Sequence, residues 1–465
     1  MTPNNKRKKE ETVAAVVAAA ANGTERDGKR QCTAQSTTTG NTSRMVLVKQ
    51  EPPDEATQQQ PEQQQQPPVG TVSQASRVMS VKQEPSDAQT NGQNDDNNDD
   101  ELPTSMELSK LLCRIVDTDK YSREEAIGTL IKLHQWLGKE DAHFLKCFYS
   151  YGGVIKVFDC ITVTMNDVNC TGEIRSNCIG LSASVIMRVA YLGFGVTNKD
   201  IALKILISAL DYGGLDILIN ASEEYTGGED RCQLSALASV WFAFTGIFSF
   251  GSENIIISKD KAIAVFETGI DVLSHLKSIS NVDGSILPRP LKQIFRTLRF
   301  IVEANYMTKD CIQNNSCISK CLDVFKKNDG TWNDARDVEE TKAASVLFSC
   351  MLKKKLLNGG SDFEMIITFF VFALKQFGMD KDVRGRGIEF FKKSCSVVHD
   401  KTIIKQSGVM ESLGRLLTLD DINEVEKNQI GGIIGTIAAL VDPTIGPEVL
   451  RYHHEEIRSL ADILR

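Results

Sequence analysis

"QSGVMESLGRLL", Gln406–Leu417, decides how the rest of the chain is read. After its Gly come apolar residues at Val409, Met410, Leu413, Leu416 and Leu417, the three- and four-residue spacing that lines one face of a helix. The pattern returns in "GGVIKVFDCI" from Gly152, "YGGLDILINA" from Tyr212 and "ETGIDVLSHL" from Glu267. Looser copies are "SCISKCLDVF" from Ser316, "MIITFFVFAL" from Met365 and "EEIRSLADIL" from Glu455. Aligned on the apolar anchors Ile155, Leu215, Ile270, Ile318, Ile366, Met410 and Ile457, the copies stand 60, 55, 48, 48, 44 and 47 residues apart. Before most of them runs another helix of similar pattern: "CIGLSASVIMRVAYLGFG", "QLSALASVWFAFTGIFSFG", "PLKQIFRTLRFIVEAN", "ETKAASVLFSCML", "GRGIEFFKKSCSVV" and "NQIGGIIGTIAALV". Ala and Ser recur in these helices, as close stacking of helix on helix requires. A unit of this size cannot bury its own apolar face, whereas several in series can.

Local signals agree with a helical reading from about residue 105 to 465. In "SREEAIGTLIKLHQWL", Ser122 is an expected N-cap with Glu125 three residues on, a capping box, and Ile127, Leu130, Ile131 and Leu133-His134 begin an apolar face. Alternating strand patterns are missing, so the expected fold class is all-α.

"QSGVMESLGRLL" resembles the final helix of an armadillo repeat, and "KAASVLFSCML" its preceding small-residue helix. The resemblance covers roughly residues 123–465 and implies a right-handed α–α superhelix, an armadillo-type solenoid of about seven degenerate repeats. HEAT-type stacking is the rival. Adaptors of the importin-alpha type bind basic signals through Trp-x-x-x-Asn ladders, but here Trp241 is followed four residues on by Thr245 and Trp136 by Glu140, and Trp332 falls in a polar loop. With the ladder absent, the resemblance implies a protein-binding solenoid that is not an import adaptor.

Residues 1–104 read differently. They hold eight of the 12 prolines, and the first aromatic residue of the chain is Tyr121. Without aromatic anchors such a segment cannot offset an ordering cost of roughly 1–2 kcal/mol per residue. The expectation is a disordered, low-complexity regulatory region ahead of the helical domain. Charge divides at the same place: Lys+Arg against Asp+Glu is 9 to 4 over residues 1–50, 2 to 11 over 51–104 and 42 to 46 beyond. A near-neutral body argues against bulk attraction to nucleic acid, though not against a local basic patch.

Two signals stand in the head. Lys6, Arg7, Lys8 and Lys9 resemble a monopartite nuclear localisation signal, which an importin reads as an extended chain. "SRMVLVKQEPPD" from Ser43 and "SRVMSVKQEPSD" from Ser76 repeat VKQEP, the pattern recognised by the SUMO-conjugating enzyme. In an extended chain Val48 and Val81 face away from the acceptor candidates Lys49 and Lys82 and from Glu51 and Glu84. The lysines then enter a catalytic cleft while the glutamates meet basic groups. A passive duplicated linker is the other reading. "QQQPEQQQQPP", Gln58–Pro68, and "NGQNDDNNDDE", Asn91–Glu101, are solvated tracts around these motifs.

Chemistry has no candidate. Phosphate-binding Gly-Lys-Ser/Thr loops, dinucleotide fingerprints, Gly-x-Ser-x-Gly elbows and His-Glu-x-x-His motifs are missing from the sequence. No cofactor, metal or catalytic residue is therefore expected. The 12 cysteines read as reduced thiols, since no pair has zinc-site spacing and the cluster Cys311, Cys317, Cys321 has no nearby His. The apolar runs, near Val240–Phe250, Met365–Leu374 and Ile430–Val441, read as buried helices, shorter than the roughly 18 residues of a membrane span. "TVAAVVAAAA" after Lys6–Lys9 faintly resembles a signal peptide, interrupted by Glu10 and Glu11. One surface pattern is sharper: Lys292, Arg296 and Arg299 share a helical face. With Lys353–Lys355 and Lys392-Lys393 in later units they would form a strip for an extended or acidic peptide.

The expected function is a non-enzymatic interaction scaffold, nuclear and SUMO-regulated, with a role in transcriptional regulation. A cytosolic adaptor in ubiquitin ligation or trafficking is the alternative.

Overall fold

The computed structural model describes residues 101–193, 198–228, 230–254, 257–279, 290–314, 316–327, 329–334, 336–357, 360–397 and 408–441. Lys6, Arg7, Lys8, Lys9, Lys49, Lys82 and the anchor Ile457 lie outside them. The described residues are mostly helical, and the only extended pairing among them is an isolated bridge between Lys326 and Trp332.

Helices α1 (Ser105–Arg114) and α2 (Arg123–Leu137) open the series. Both begin on a reciprocal cap, Thr104 with Glu107 at α1 and, as expected from the sequence, Ser122 with Glu125 at α2: Ser122 Oγ accepts from the Glu125 amide at 3.3 Å while Glu125 Oε2 accepts from the Ser122 amide at 2.9 Å. The buried face of α2 differs from expectation. It runs through Ala126, Leu130, Leu133, Trp136 and Leu137, leaving Ile131 exposed and Ile127 half-buried.

Thereafter the chain repeats a unit of up to three helices. Units one and two are α3 (Ala142–Ser150), α4 (Gly153–Asn166) and α5 (Gly172–Leu192), then α6 (Lys199–Asp211), α7 (Gly214–Glu224) and α8 (Arg231–Asn254). Next come α9 (Lys259–Ile279) with α10 (Leu291–Glu303), and α11 (Lys309–Asn314), α12 (Cys317–Asp323) and α13 (Val338–Lys353). The last are α14 (Ser361–Phe377) with α15 (Lys381–Val397), and α16 (Val409–Leu417) with α17 (Glu424–Val441). Neighbouring units pack like on like. One row runs α2, α5, α8, α10, α13, α15, α17, and a second runs α4, α7, α9, α12, α14, α16.

The short helix of a unit turns into the middle one through a left-handed residue. Gly152 (φ 65°), Gly213 (φ 88°) and Ser316 (φ 47°) hold this joint, and Gly408 (φ 76°) takes the same position before α16. In α9 and α14 the joint is missing, and the helix runs unbroken through Ile270 and Ile366. The joints also correct the alignment of the copies. Val154, rather than Ile155, is the first unit's equivalent of Leu215 and Met410, one residue after the helix start.

Ser316 is the one non-glycine residue at these joints, and a left-handed L-residue costs roughly 1–2 kcal/mol. Ser316→Gly should therefore raise stability by about 0.5–1 kcal/mol after the extra backbone entropy of Gly is subtracted. A thermal melt should show a rise of about 2 °C, and a fall would exclude strain at this joint.

Small residues set the spacing of the first row. A Cβ on Gly180 would lie 3.3 Å from Ala236 Cα, and one on Gly246 would lie 2.9 Å from Ala190 Cβ, so α5 and α8 approach closely at both ends. Trp241 is fully buried there and donates Nε1–H to Ser222 Oγ at 3.0 Å. Over Arg231–Phe250 the helix α8 is long and apolar enough by composition to span a membrane, with mean hydropathy 1.4, which corrects the expectation of shorter runs. Two-thirds of that window is buried inside the protein. Trp332, expected in a polar loop, stacks on Phe372 of α14 with centroids 4.9 Å apart.

Candidate interaction groove

The two rows carry their surface charge differently. In the second row the position after the apolar anchor is acidic three times, and each acid pairs with a lysine of a neighbouring helix. Asp216 meets Lys261 at 2.5 Å, Asp271 meets Lys320 at 2.9 Å and Glu411 meets Lys375 at 3.5 Å. These half-exposed pairs are worth about 0–1 kcal/mol each. Their effect on the surface is larger, because each neutralises an acid of that row.

The first row keeps charge in excess. Helix α10 buries Leu291, Ile294, Phe295, Leu298 and Ile301, which turns Lys292, Arg296 and Arg299 to the opposite side. They line a cavity of about 200 Å³ with Glu339, Lys342, Ala343 and Val346 of α13 and Asp382 and Arg386 of α15. Arg299, Val346 and Arg386 also line an adjoining groove of about 450 Å³, with Glu303, Lys353, Lys354, Glu389 and Lys393 among its other walls. Together the two hold eight cationic side chains against four carboxylates, in a chain whose net charge is −8. Lys353, Lys354 and Lys393 thus join the expected strip. Lys355 and Lys392 do not: Lys355 lines neither space, and Lys392 lines a separate depression with Val425 and Ile433.

Several of the cations are held by the protein itself. Lys292 Nζ donates to Glu339 Oε2 at 2.8 Å, and Lys342 Nζ lies 3.0 Å from Glu339 Oε1, 2.9 Å from Asp380 and 3.6 Å from Asp382. Hydrogen bonds from Lys292 and Lys342 pull the Glu339 carboxyl down to about 2, and Asp380 holds the Lys342 ammonium above its ordinary range. Arg299 Nε meets Glu303 at 2.9 Å, and its guanidinium lies 5.1 Å from the Phe300 ring centroid. Arg296 and Arg386 make neither an ion pair nor a hydrogen bond with any described residue, and Nε of Arg386 is buried.

Sequence reasoning found the cations of α10 and missed Lys342 and Arg386. A signal was available: Arg296, Lys342 and Arg386 follow one another at intervals of 46 and 44 residues, the period of the units. Beside this groove, Tyr191 of α5 and Phe242 of α8 pack edge to face on the same row, centroids 5.6 Å apart.

Thiols of the groove wall and of the core are not activated. Burial pushes Cys350, in the groove wall, up to about 11, and Cys178 and Cys317 up to about 12. At neutral pH they stay protonated, which removes their nucleophilic form. Cysteines of the described residues are all free, and no group of three His, Cys, Asp or Glu among those residues could hold a metal ion. Neither a family model nor a curated protein matches the chain.

Proposed function

We propose that this protein is a non-enzymatic interaction scaffold of armadillo type, which binds an extended acidic segment of a partner along the first helical row. What carries the reading is the groove over α10, α13 and α15, where cations outnumber carboxylates two to one in an acidic chain. Three-helix units with a left-handed joint before the middle helix favour armadillo over the two-helix HEAT arrangement. Helices stacked in series at about 10 Å spacing offer an extended peptide one contact point per unit, about every three residues of its length. Charge in such a groove steers encounter and fixes register more than it adds raw affinity.

The head supplies address and control in this reading. Lys6, Arg7, Lys8 and Lys9 bring the chain to an importin and the nucleus, and SUMO on Lys49 and Lys82 regulates what the solenoid recruits, in keeping with transcriptional regulation.

Arg299→Glu with Lys353→Glu is the test of the groove. Full-length chain purified from its own cells should lose a recurrent partner, with recovery at least tenfold lower by mass spectrometry. An unchanged partner set would refute binding there. Alanines at Lys6–Lys9 should move a fluorescent fusion out of the nucleus, and Lys49→Arg with Lys82→Arg should abolish a SUMO-shifted band; a persisting shift reduces VKQEP to linker.

A further inference from the structure

Within the groove, the small cavity differs from the rest. Of its five cations, Lys292 and Lys342 are saturated by Glu339, Asp380 and Asp382, and Arg299 is held by Glu303 at the rim. That leaves two guanidiniums, Arg296 and Arg386, without a partner among the described residues. They stand on α10 and α15, on either side of α13, and both reach the same space of about 200 Å³. Part of its floor, on α13, is the short side chains of Ala343 and Val346, while Glu339 and Lys342 of the same helix are tied to each other and to neighbouring charges.

We infer that this cavity is a phosphoryl pocket that takes a phosphorylated serine or threonine of the segment lying in the groove. Two guanidiniums without a hydrogen-bond partner match the acceptor oxygens of a phosphomonoester, which carries about −1.5 to −2 at neutral pH, and the five cations of the cavity keep a net charge of +1 against Glu339, Asp380, Asp382 and Glu303. A lone carboxylate would satisfy one guanidinium and leave the other, half-buried, without a hydrogen-bond acceptor. Two planar forks approaching from opposite walls also suit a tetrahedral anion with three acceptor oxygens, each fork donating two parallel hydrogen bonds. Size points the same way, since about 200 Å³ admits one phosphoryl group and its side-chain stem but not a bulky polyphosphate ring. Beyond the cavity, Lys353, Lys354 and Lys393 continue the groove and fit acidic residues flanking the phosphorylated one. Nucleic acid fits less well, because four carboxylates interrupt the groove and would face a continuous phosphate backbone.

The inference rests on the scaffold reading, and a peptide pair separates the two. Fluorescein-labelled DDESDDE and its phosphoserine form are titrated against the full chain by anisotropy at low salt. The phosphopeptide should bind at least tenfold more tightly. Arg296→Gln with Arg386→Gln should remove that increment, so that the two peptides bind the variant equally, each more weakly than the unphosphorylated peptide binds the parent because two groove cations are gone. Arg296→Lys with Arg386→Lys, which keeps charge and loses the fork, should lose most of it as well. Both positions are half-buried on the outward face, and an unchanged melting curve verifies that the variants fold. Orthophosphate should compete at millimolar concentration for the increment alone. Equal binding of the two peptides overturns the phosphoryl pocket and leaves the scaffold standing; binding of neither overturns both. An increment that survives in the glutamine variants, or displacement by a single-stranded oligonucleotide as effective as the phosphopeptide itself, also overturns the pocket.

Discussion

Arg384→Met is expected to destabilise the C-terminal helices by about 3 kcal/mol, the lower end of the range for removing one partner of a buried ion pair. Arg384 is fully buried in the first turn of α15. Its Nη1 donates to the Gly378 carbonyl at 3.1 Å, at the end of α14. The same guanidinium reaches Asp421, in the connector before α17, at 3.2 Å and Glu426, in the first turn of α17, at 3.1 Å. Glu426 has a second task, because its amide donates to Asn423 Oδ1 at 2.9 Å and its carboxylate accepts from the Asn423 amide at 3.2 Å, closing a capping box on α17. One side chain therefore ties three elements together.

Methionine has similar length and keeps the packing, so what is lost is charge and hydrogen bonding. Two carboxylates are then left facing one another. Asp421 is about half exposed and recovers some hydration, which sets the estimate low in the range; Glu426 is mostly buried and does not. Urea unfolding should show the loss, and amide exchange should speed up in α16 and α17 before α5 and α8. A midpoint within error of the parent would mean the pair is neutral against an apolar replacement, as some buried ion pairs are.

Arg384 also marks where the sequence stops being legible. Helix existence followed from apolar spacing, because burial of one face leaves its period in the chain. "GRGIEFFKKSCSVV" was correctly readable as a helix with small residues. That Arg384 turns inward and Arg386 outward was not, since the acids that receive Arg384 lie about 40 residues away on another element. Ile131 shows the same limit from the apolar side: it has the right spacing for a face, but the described residues leave it exposed. The cations of α10 were legible as one face because three of them fall within eight residues. Their union with Lys353 and Lys393 needed the stacking of α13 and α15, and the separation of Lys392 depended on which side of α15 it leaves. The short helix of the three-helix units escaped notice because the joint residue, Gly152 or Gly213, reads as the start of the middle helix and says little about the short one before it.

Gly214 is a position where one added methyl should do large damage. The Gly213-Gly214 pair carries two different demands. Gly213 needs the left-handed backbone, with nothing closer than 3.8 Å to an added Cβ, whereas Gly214 needs the space itself. A Cβ at Gly214 would sit 2.6 Å from Phe158 Cζ and 2.8 Å from the Ala209 carbonyl oxygen. Neither neighbour can yield easily, because Phe158 is fully buried in α4 and the carbonyl belongs to the backbone of α6. Gly214→Ala should cost about 2–3 kcal/mol and Gly214→Val more, at the upper end of what overpacking does. The loss falls where α4, α6 and α7 meet, so it should weaken contact between the first two units and lower cooperativity of unfolding as well as its midpoint. Gly128 supplies the opposite case in the same chain. It lies in the interior of α2, exposed, with no atom within 4 Å of an added Cβ. Gly128→Ala should therefore stabilise by about 0.5–1 kcal/mol through helix propensity alone. If the two substitutions shift the thermal midpoint in the same direction, close approach of α7 to Phe158 is not what fixes Gly214.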